Sequence, residues 1–131
     1  TERTPASAQA CASARVPCWI DAAARPLILV GSSLGAYVSG LASMQREIDG
    51  LFLLAPPVRL PGIAPDLSLH ARHVALVHGW RDELIPPDEV YALAAASRAE
   101  LKLYDDDHRL TAVVAAIERD FAAFLGRWVN P

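Results

Sequence analysis

Residues 31–35 read GSSLG and follow directly on the apolar run LILV at residues 27–30. This is the pattern G-x-S-x-G between a predicted strand and a predicted helix, the setting of a nucleophile elbow with Ser33 at its tip. A side chain two residues either side of the serine would meet backbone, which predicts that both Gly31 and Gly35 must be glycine. The amide of Leu34, at the start of the helix, points to the same place and would stabilise a developing oxyanion there.

The same five residues are also typical of an ordinary strand–helix connection, in which a serine side chain caps the helix. The pentapeptide alone leaves these two interpretations open. A phosphate-binding turn is disfavoured, because glycines at 31, 35 and 40 do not fit G-x-G-x-x-G and no lysine follows as in a P-loop.

Two downstream segments favour a nucleophile. Residues 74–86, VALVHGWRDELIP, read as a buried strand followed by a loop that contains Asp82, and His78 is interpreted as part of that loop. Residues 101–108, LKLYDDDH, read as a short strand followed by His108. Carboxyl ends of parallel strands meet at one edge of a sheet, so Ser33, Asp82 and His108 are predicted to converge there.

From about residue 26 to residue 128 the chain resembles the carboxyl-terminal part of a small, lidless α/β-hydrolase, similar to short bacterial serine hydrolases of the esterase and dienelactone-hydrolase kind. The motifs that carry the resemblance are GSSLG at 31–35, DELIP at 82–86 and DDHRL at 106–110. The resemblance implies an α/β fold, a mostly parallel sheet flanked by helices. It also implies that Ser33 is the nucleophile, that His108 acts as base and then acid, and that Asp82, rather than its neighbour Glu83, orients the imidazole.

The implied activity is cleavage of carboxylic ester or related acyl bonds through an acyl-enzyme, with no metal or organic cofactor. Residues 56–72 are too few for a cap domain, which predicts an open, shallow site suited to small ester or acyl substrates. Ser32, Pro56 and Trp80 are the candidate pocket-lining residues. The acidic run at 105–107 does not predict a metal site, because three consecutive residues rarely surround a cation.

The resembled family has further strands before its nucleophile, and a loop after one of them donates a second oxyanion N–H. Only 32 residues precede Ser33, too few for two strand–helix units. The sequence therefore predicts that the N-terminal part of the fold is absent and that the edge beside 27–30 is exposed, which favours homo-oligomers. With no second donor identified, a non-catalytic α/β-hydrolase-like binding module stays open as the alternative function.

Composition predicts one domain at 26–131 after a poorly specified leader at 1–25, since 131 residues that are 53% hydrophobic can bury a single core. A net charge of −3 without a Lys/Arg stripe argues against nucleic acid as a partner. No apolar run approaches membrane-spanning length and no secretory signal is visible. Cys11 and Cys18 lack C-x-x-C spacing and are interpreted as free thiols, which favours a cytoplasmic location.

The pattern along the chain predicts the secondary structure. Continuous apolar runs predict buried parallel strands at 27–30, 51–55, 73–78 and 100–104. Helices are predicted at 34–46, 87–97 and 110–128, the last from an apolar stripe at helical spacing.

Overall fold

Four parallel strands form the central sheet of the computed structural model, which describes residues 25–63 and 65–129. The strands are β1 (Ile28–Ser32), β2 (Ile48–Leu54), β3 (Ala71–Gly79) and β4 (Glu100–Tyr104), adjacent in that order. The helices are α1 (Leu34–Ser43), α2 (Pro87–Ser97) and α3 (Val114–Val129), the last preceded by a 3₁₀ turn at Thr111–Val113. The predicted parallel α/β architecture is confirmed. Cys11, Cys18 and the predicted leader up to residue 24 lie outside the described residues.

The sheet is covered on both faces, and β2 shows how. Leu51 and Leu53 point to one face and pack in a core that also contains side chains of α1 and α2. Phe52, between them, points to the other face and packs with Phe121 and Phe124 of α3. Burial on both faces explains why the apolar run of β2 is uninterrupted rather than alternating. Strand β4, ELKLY, alternates instead and exposes Glu100 and Lys102, so the prediction of a continuous apolar run there is wrong.

Several predicted boundaries differ from the structure, and that of β2 is one of them. Strand β2 begins at Ile48, three residues before its predicted start, because Asp49 and Gly50 are strand residues despite their types. The Asp49 carboxylate accepts the Leu27 N–H at 2.7 Å, and a Cβ at Gly50 would lie 2.6 Å from the ring of Trp128. Gly50 therefore permits the close approach of α3 to the sheet.

The last helix was also predicted to start too early. Leu110 is buried but has a φ of 59°, which a residue inside an α-helix does not adopt. A 3₁₀ turn intervenes and α3 begins at Val114, whose side chain is half exposed. The first helix is shorter than predicted as well, since α1 ends at Ser43.

The two motif glycines have different environments, which corrects the expectation that both are required. A Cβ at Gly31 would lie 2.4 Å from the carbonyl oxygen of Gly35, whereas a Cβ at Gly35 would have no neighbour within 4 Å. We therefore expect Gly31→Ala to lower the free energy of unfolding by about 1–3 kcal/mol. Gly35→Ala, inside α1, should leave it unchanged or raise it by up to about 1 kcal/mol. Urea unfolding of both variants tests this, and equal losses would contradict it.

The segment between β2 and β3 is short, as predicted. Its described residues form a loop with one isolated bridge between Leu60 and Ile63. The loop is fastened to α1 by the Tyr37 hydroxyl, which donates a hydrogen bond of 2.6 Å to the carbonyl of Pro65. Across residues 25–63 and 65–129, no helix has both the length and the apolar character that crossing a membrane requires.

Candidate active site

Ser33 occupies the single-residue turn between β1 and α1. Its φ of 53° and ψ of −119° lie outside the backbone regions that residues other than glycine favour. Such a conformation costs about 1–3 kcal/mol. The turn is held by the Ser33 N–H, which donates to the carbonyl of Leu54 at 2.9 Å. Ser33 stands at the N-cap position of α1, yet its side chain makes no capping hydrogen bond. The interpretation as an ordinary helix cap is therefore wrong.

The Ser33 hydroxyl faces a histidine instead. Its Oγ lies 2.9 Å from Nε2 of His108, which is 75 residues further along the chain. The other ring nitrogen of His108, Nδ1, lies 2.7 Å from Oδ2 of Asp82. The structure thus brings together the three side chains that the sequence placed past the ends of β1, β3 and β4.

Both oxygens of the Asp82 carboxylate accept hydrogen bonds. Its side chain is fully buried, and Oδ1 accepts the N–H groups of Leu84 and Ile85, both at 2.8 Å. Burial disfavours its ionised form, but the hydrogen bonds from His108 and these two amides outweigh burial and hold the pKa of Asp82 below its ordinary value. Glu83, the competing acid, is exposed.

The loop that carries His108 is fixed by its own acidic run. Asp106 is buried, and its carboxylate accepts the N–H groups of Asp107 at 2.7 Å and Ala112 at 2.9 Å. The loop packs directly on the end of β3, where a Cβ at Gly79 would lie 2.4 Å from the carbonyl oxygen of Asp106. Gly79 and Asp106 therefore set the position of His108, a role that the sequence did not reveal.

Two of the other predicted site residues, Ser32 and Leu34, are the chain neighbours of Ser33. Leu34 is the first residue of α1, so its amide has no acceptor within the helix. Ser32 lies in a cleft of about 260 Å³ between β1 and α3, and Trp80 is exposed. Pro56 is fully buried, so in this conformation it offers a substrate no surface. A pocket-lining role stays a prediction for Ser32 and Trp80. Within the described ranges, no group of three or more His, Cys, Asp or Glu could hold a metal ion.

Solved structures with the same architecture were found by comparison. A crystal structure of a candidate hydrolase of the alpha/beta superfamily from Xanthomonas campestris pv. campestris matches with a TM-score of 0.74 and 45% sequence identity over 80% of the chain. The chain belongs to the α/β-hydrolase superfamily. It spans 60% of the length of that relative, which agrees with the expectation that it carries part of the fold. No protein-family model and no curated protein matches the sequence.

Two more distant structures have the same fold. A candidate dienelactone hydrolase from Klebsiella pneumoniae subsp. pneumoniae matches with a TM-score of 0.64 and 17% identity over 78% of the chain. An esterase from Pyrococcus furiosus matches with a TM-score of 0.63 and 20% identity over 77%. The chain covers 52% and 53% of these two proteins, and at such identities the likeness concerns the fold alone.

Proposed function

We propose that this α/β-hydrolase chain carries the catalytic residues of a serine hydrolase that cleaves carboxylic esters or related acyl bonds. The observation that supports this most is the unbroken series of hydrogen bonds from Ser33 through His108 to the buried carboxylate of Asp82. A serine, a histidine and an acid in this geometry make up the general machinery of acyl transfer.

The reaction begins with the Ser33 hydroxyl. Its proton passes to Nε2 of His108 as Oγ attacks the substrate carbonyl, and the negative charge on the carbonyl oxygen is stabilised by the N–H of Leu34. Asp82 stabilises the imidazolium of His108. The imidazolium gives its Nε2 proton to the leaving alcohol as the acyl-enzyme forms. His108 then takes a proton from water as the water oxygen attacks the acyl-enzyme. It returns that proton to Oγ of Ser33 as the free acid is released.

The substrate class follows from the short loop between β2 and β3. Ser33 is partly buried at the end of β1, and among the described residues no helix lies between β2 and β3 to cover it. An uncovered site favours small or readily accessible esters. The Leu34 amide would polarise a carbonyl oxygen irrespective of the acyl chain.

Activity should depend on pH through His108. Because the pKa of Asp82 is lowered, this carboxyl stays ionised well below neutral pH. The stability that the ionised carboxylate contributes to the fold is lost only when the pH falls through that lowered value. Between about pH 5 and 8, histidine is the side chain that ordinarily changes charge. Protonation of His108 removes the lone pair that accepts the Ser33 proton. We therefore expect kcat/KM to fall toward acid pH as His108 becomes protonated, and a profile that does not fall would contradict histidine as the base.

Labelling with a fluorophosphonate probe tests the proposed function directly. We expect one covalent adduct per chain, located on Ser33 by peptide mapping. Complete absence of labelling in a folded protein would favour the alternative, a binding module of the same fold without turnover.

Association through the free edge of β1 also stays a prediction. β1 pairs with β2, and among the described residues no strand pairs with its other edge. An unpaired edge offers backbone groups to a second strand. Analytical ultracentrifugation of the chain measures whether it forms dimers or larger oligomers in solution.

A further inference from the structure

His78 is a buried histidine that the proposed reaction does not use. It lies in β3 just before Gly79, and its side chain has no exposed surface. Its Nε2 lies 2.9 Å from the carbonyl oxygen of Ile85 and 3.4 Å from Oδ2 of Asp82. Its Nδ1 is buried without a hydrogen-bond partner among the described residues.

These contacts fix the tautomer of His78. A carbonyl oxygen only accepts hydrogen bonds, so Nε2 carries the proton and donates it to Ile85. Nδ1 is then the bare nitrogen, and burying it without a partner costs about 1–3 kcal/mol. An aliphatic side chain would fill the same space without that cost, so packing does not account for an imidazole here.

The hydrogen bond to Ile85 belongs to a longer series. The carbonyl of Ile85 accepts from His78, and the N–H of Ile85 donates to Oδ1 of Asp82. Oδ2 of Asp82 accepts from His108, which faces the Ser33 hydroxyl. His78 therefore fastens the turn at 82–85 to the end of β3, and its N–H edge lies beside the carboxylate that the turn presents to His108.

We infer that His78 is a positioning residue: its Nε2–H holds the turn at 82–85 so that Asp82 meets Nδ1 of His108. The inference rests on the proposed function for its kinetic consequences, but the Asp82–His108 hydrogen bond is itself observable. His78 acts through the acid and has no contact with Ser33 among the hydrogen bonds of the site.

Two amide replacements separate positioning from packing. The amide nitrogen of glutamine in His78→Gln reaches the place of Nε2, whereas that of asparagine in His78→Asn reaches only the place of the unused Nδ1. With a small p-nitrophenyl ester, we expect His78→Asn to lower kcat by about 10- to 100-fold, as does removal of the hydrogen-bonding partner that orients a metal-binding side chain in metalloenzymes. KM should be unchanged. His78→Gln should regain most of the lost kcat.

The low-field proton resonance of the His108 Nδ1–H gives a readout that needs no turnover. We expect it in the wild type and in His78→Gln, and we expect it weakened or lost in His78→Asn. Equal kcat values and equal resonances in the two variants would overturn the inference. If the wild type has no Ser33-dependent activity, the proposed function fails, while the resonance still decides whether His78 positions Asp82.

A measurement on the wild-type protein tests the inference even if the variants do not fold. Side-chain ¹⁵N shifts at neutral pH should show His78 protonated at Nε2 and bare at Nδ1. The opposite tautomer would overturn the inference, because Nε2 could then not donate to Ile85.

Discussion

Replacing Ser33 by alanine is expected to lower kcat for ester hydrolysis by about 10⁴- to 10⁶-fold. The variant lacks the only oxygen that lies within hydrogen-bonding distance of Nε2 of His108 among the described contacts. The fold should survive, because one partly buried hydrogen bond contributes only about 0.5–1.5 kcal/mol. Steady-state kinetics with a small activated ester, together with urea unfolding of the same samples, measures both effects.

Ser32→Ala is the matched control. Ser32 is the last residue of β1, it is exposed, and it differs from Ser33 by one position in the chain. We expect Ser32→Ala to keep most of the wild-type kcat and to be labelled by a fluorophosphonate as fast as the wild type. Stoichiometric labelling of Ser33→Ala, or abolished labelling in Ser32→Ala, would show that Ser33 is not the nucleophile.

Much of the fold could be predicted because its signals are local. The apolar run of β3 and the glycine-bounded turn at Ser33 lie in contiguous residues, and a parallel sheet puts the ends of its strands at one edge. The convergence of Asp82 and His108 on Ser33 could thus be predicted from parallel strands and from the position of each residue just past a strand's carboxyl end. Strand β4 could be delimited to the residue, since its segment ELKLY lies between the turn at 98–99 and the acidic run at 105–107.

What could not be predicted depends on contacts between distant segments. A glycine is needed at 79 because the loop after β4 packs against it. Asp106 has the sequence context of a solvated acid, but in the structure its carboxylate accepts two N–H groups of its own loop. In the sequence Gly50 looks like a turn residue. The reason for a glycine there is contact with Trp128, which is 78 positions away in the chain. In the sequence, His78 was assigned only to the acid loop, because its bond to Ile85 closes a turn that the pattern does not define.

Replacing Asp82 by asparagine is expected to lower kcat by up to about 10⁴-fold without unfolding the chain. Asparagine can keep its carbonyl oxygen where Oδ1 accepts the N–H groups of Leu84 and Ile85, so the turn retains its hydrogen bonds. Its amide then stands in the place of Oδ2 and donates toward Nδ1 of His108. This holds the proton of the neutral imidazole on Nε2, where it blocks transfer from Ser33.

The adjacent acid provides the matched control for this prediction. Glu83 has the same charge, belongs to the same turn and is exposed, so Glu83→Gln removes one negative charge from the loop without touching His108. We expect its kcat to stay close to that of the wild type, because an exposed charge acts weakly through water. The low-field resonance of the His108 Nδ1–H should be present in Glu83→Gln and absent in Asp82→Asn. A larger loss of kcat in Glu83→Gln than in Asp82→Asn would transfer the orienting role to Glu83.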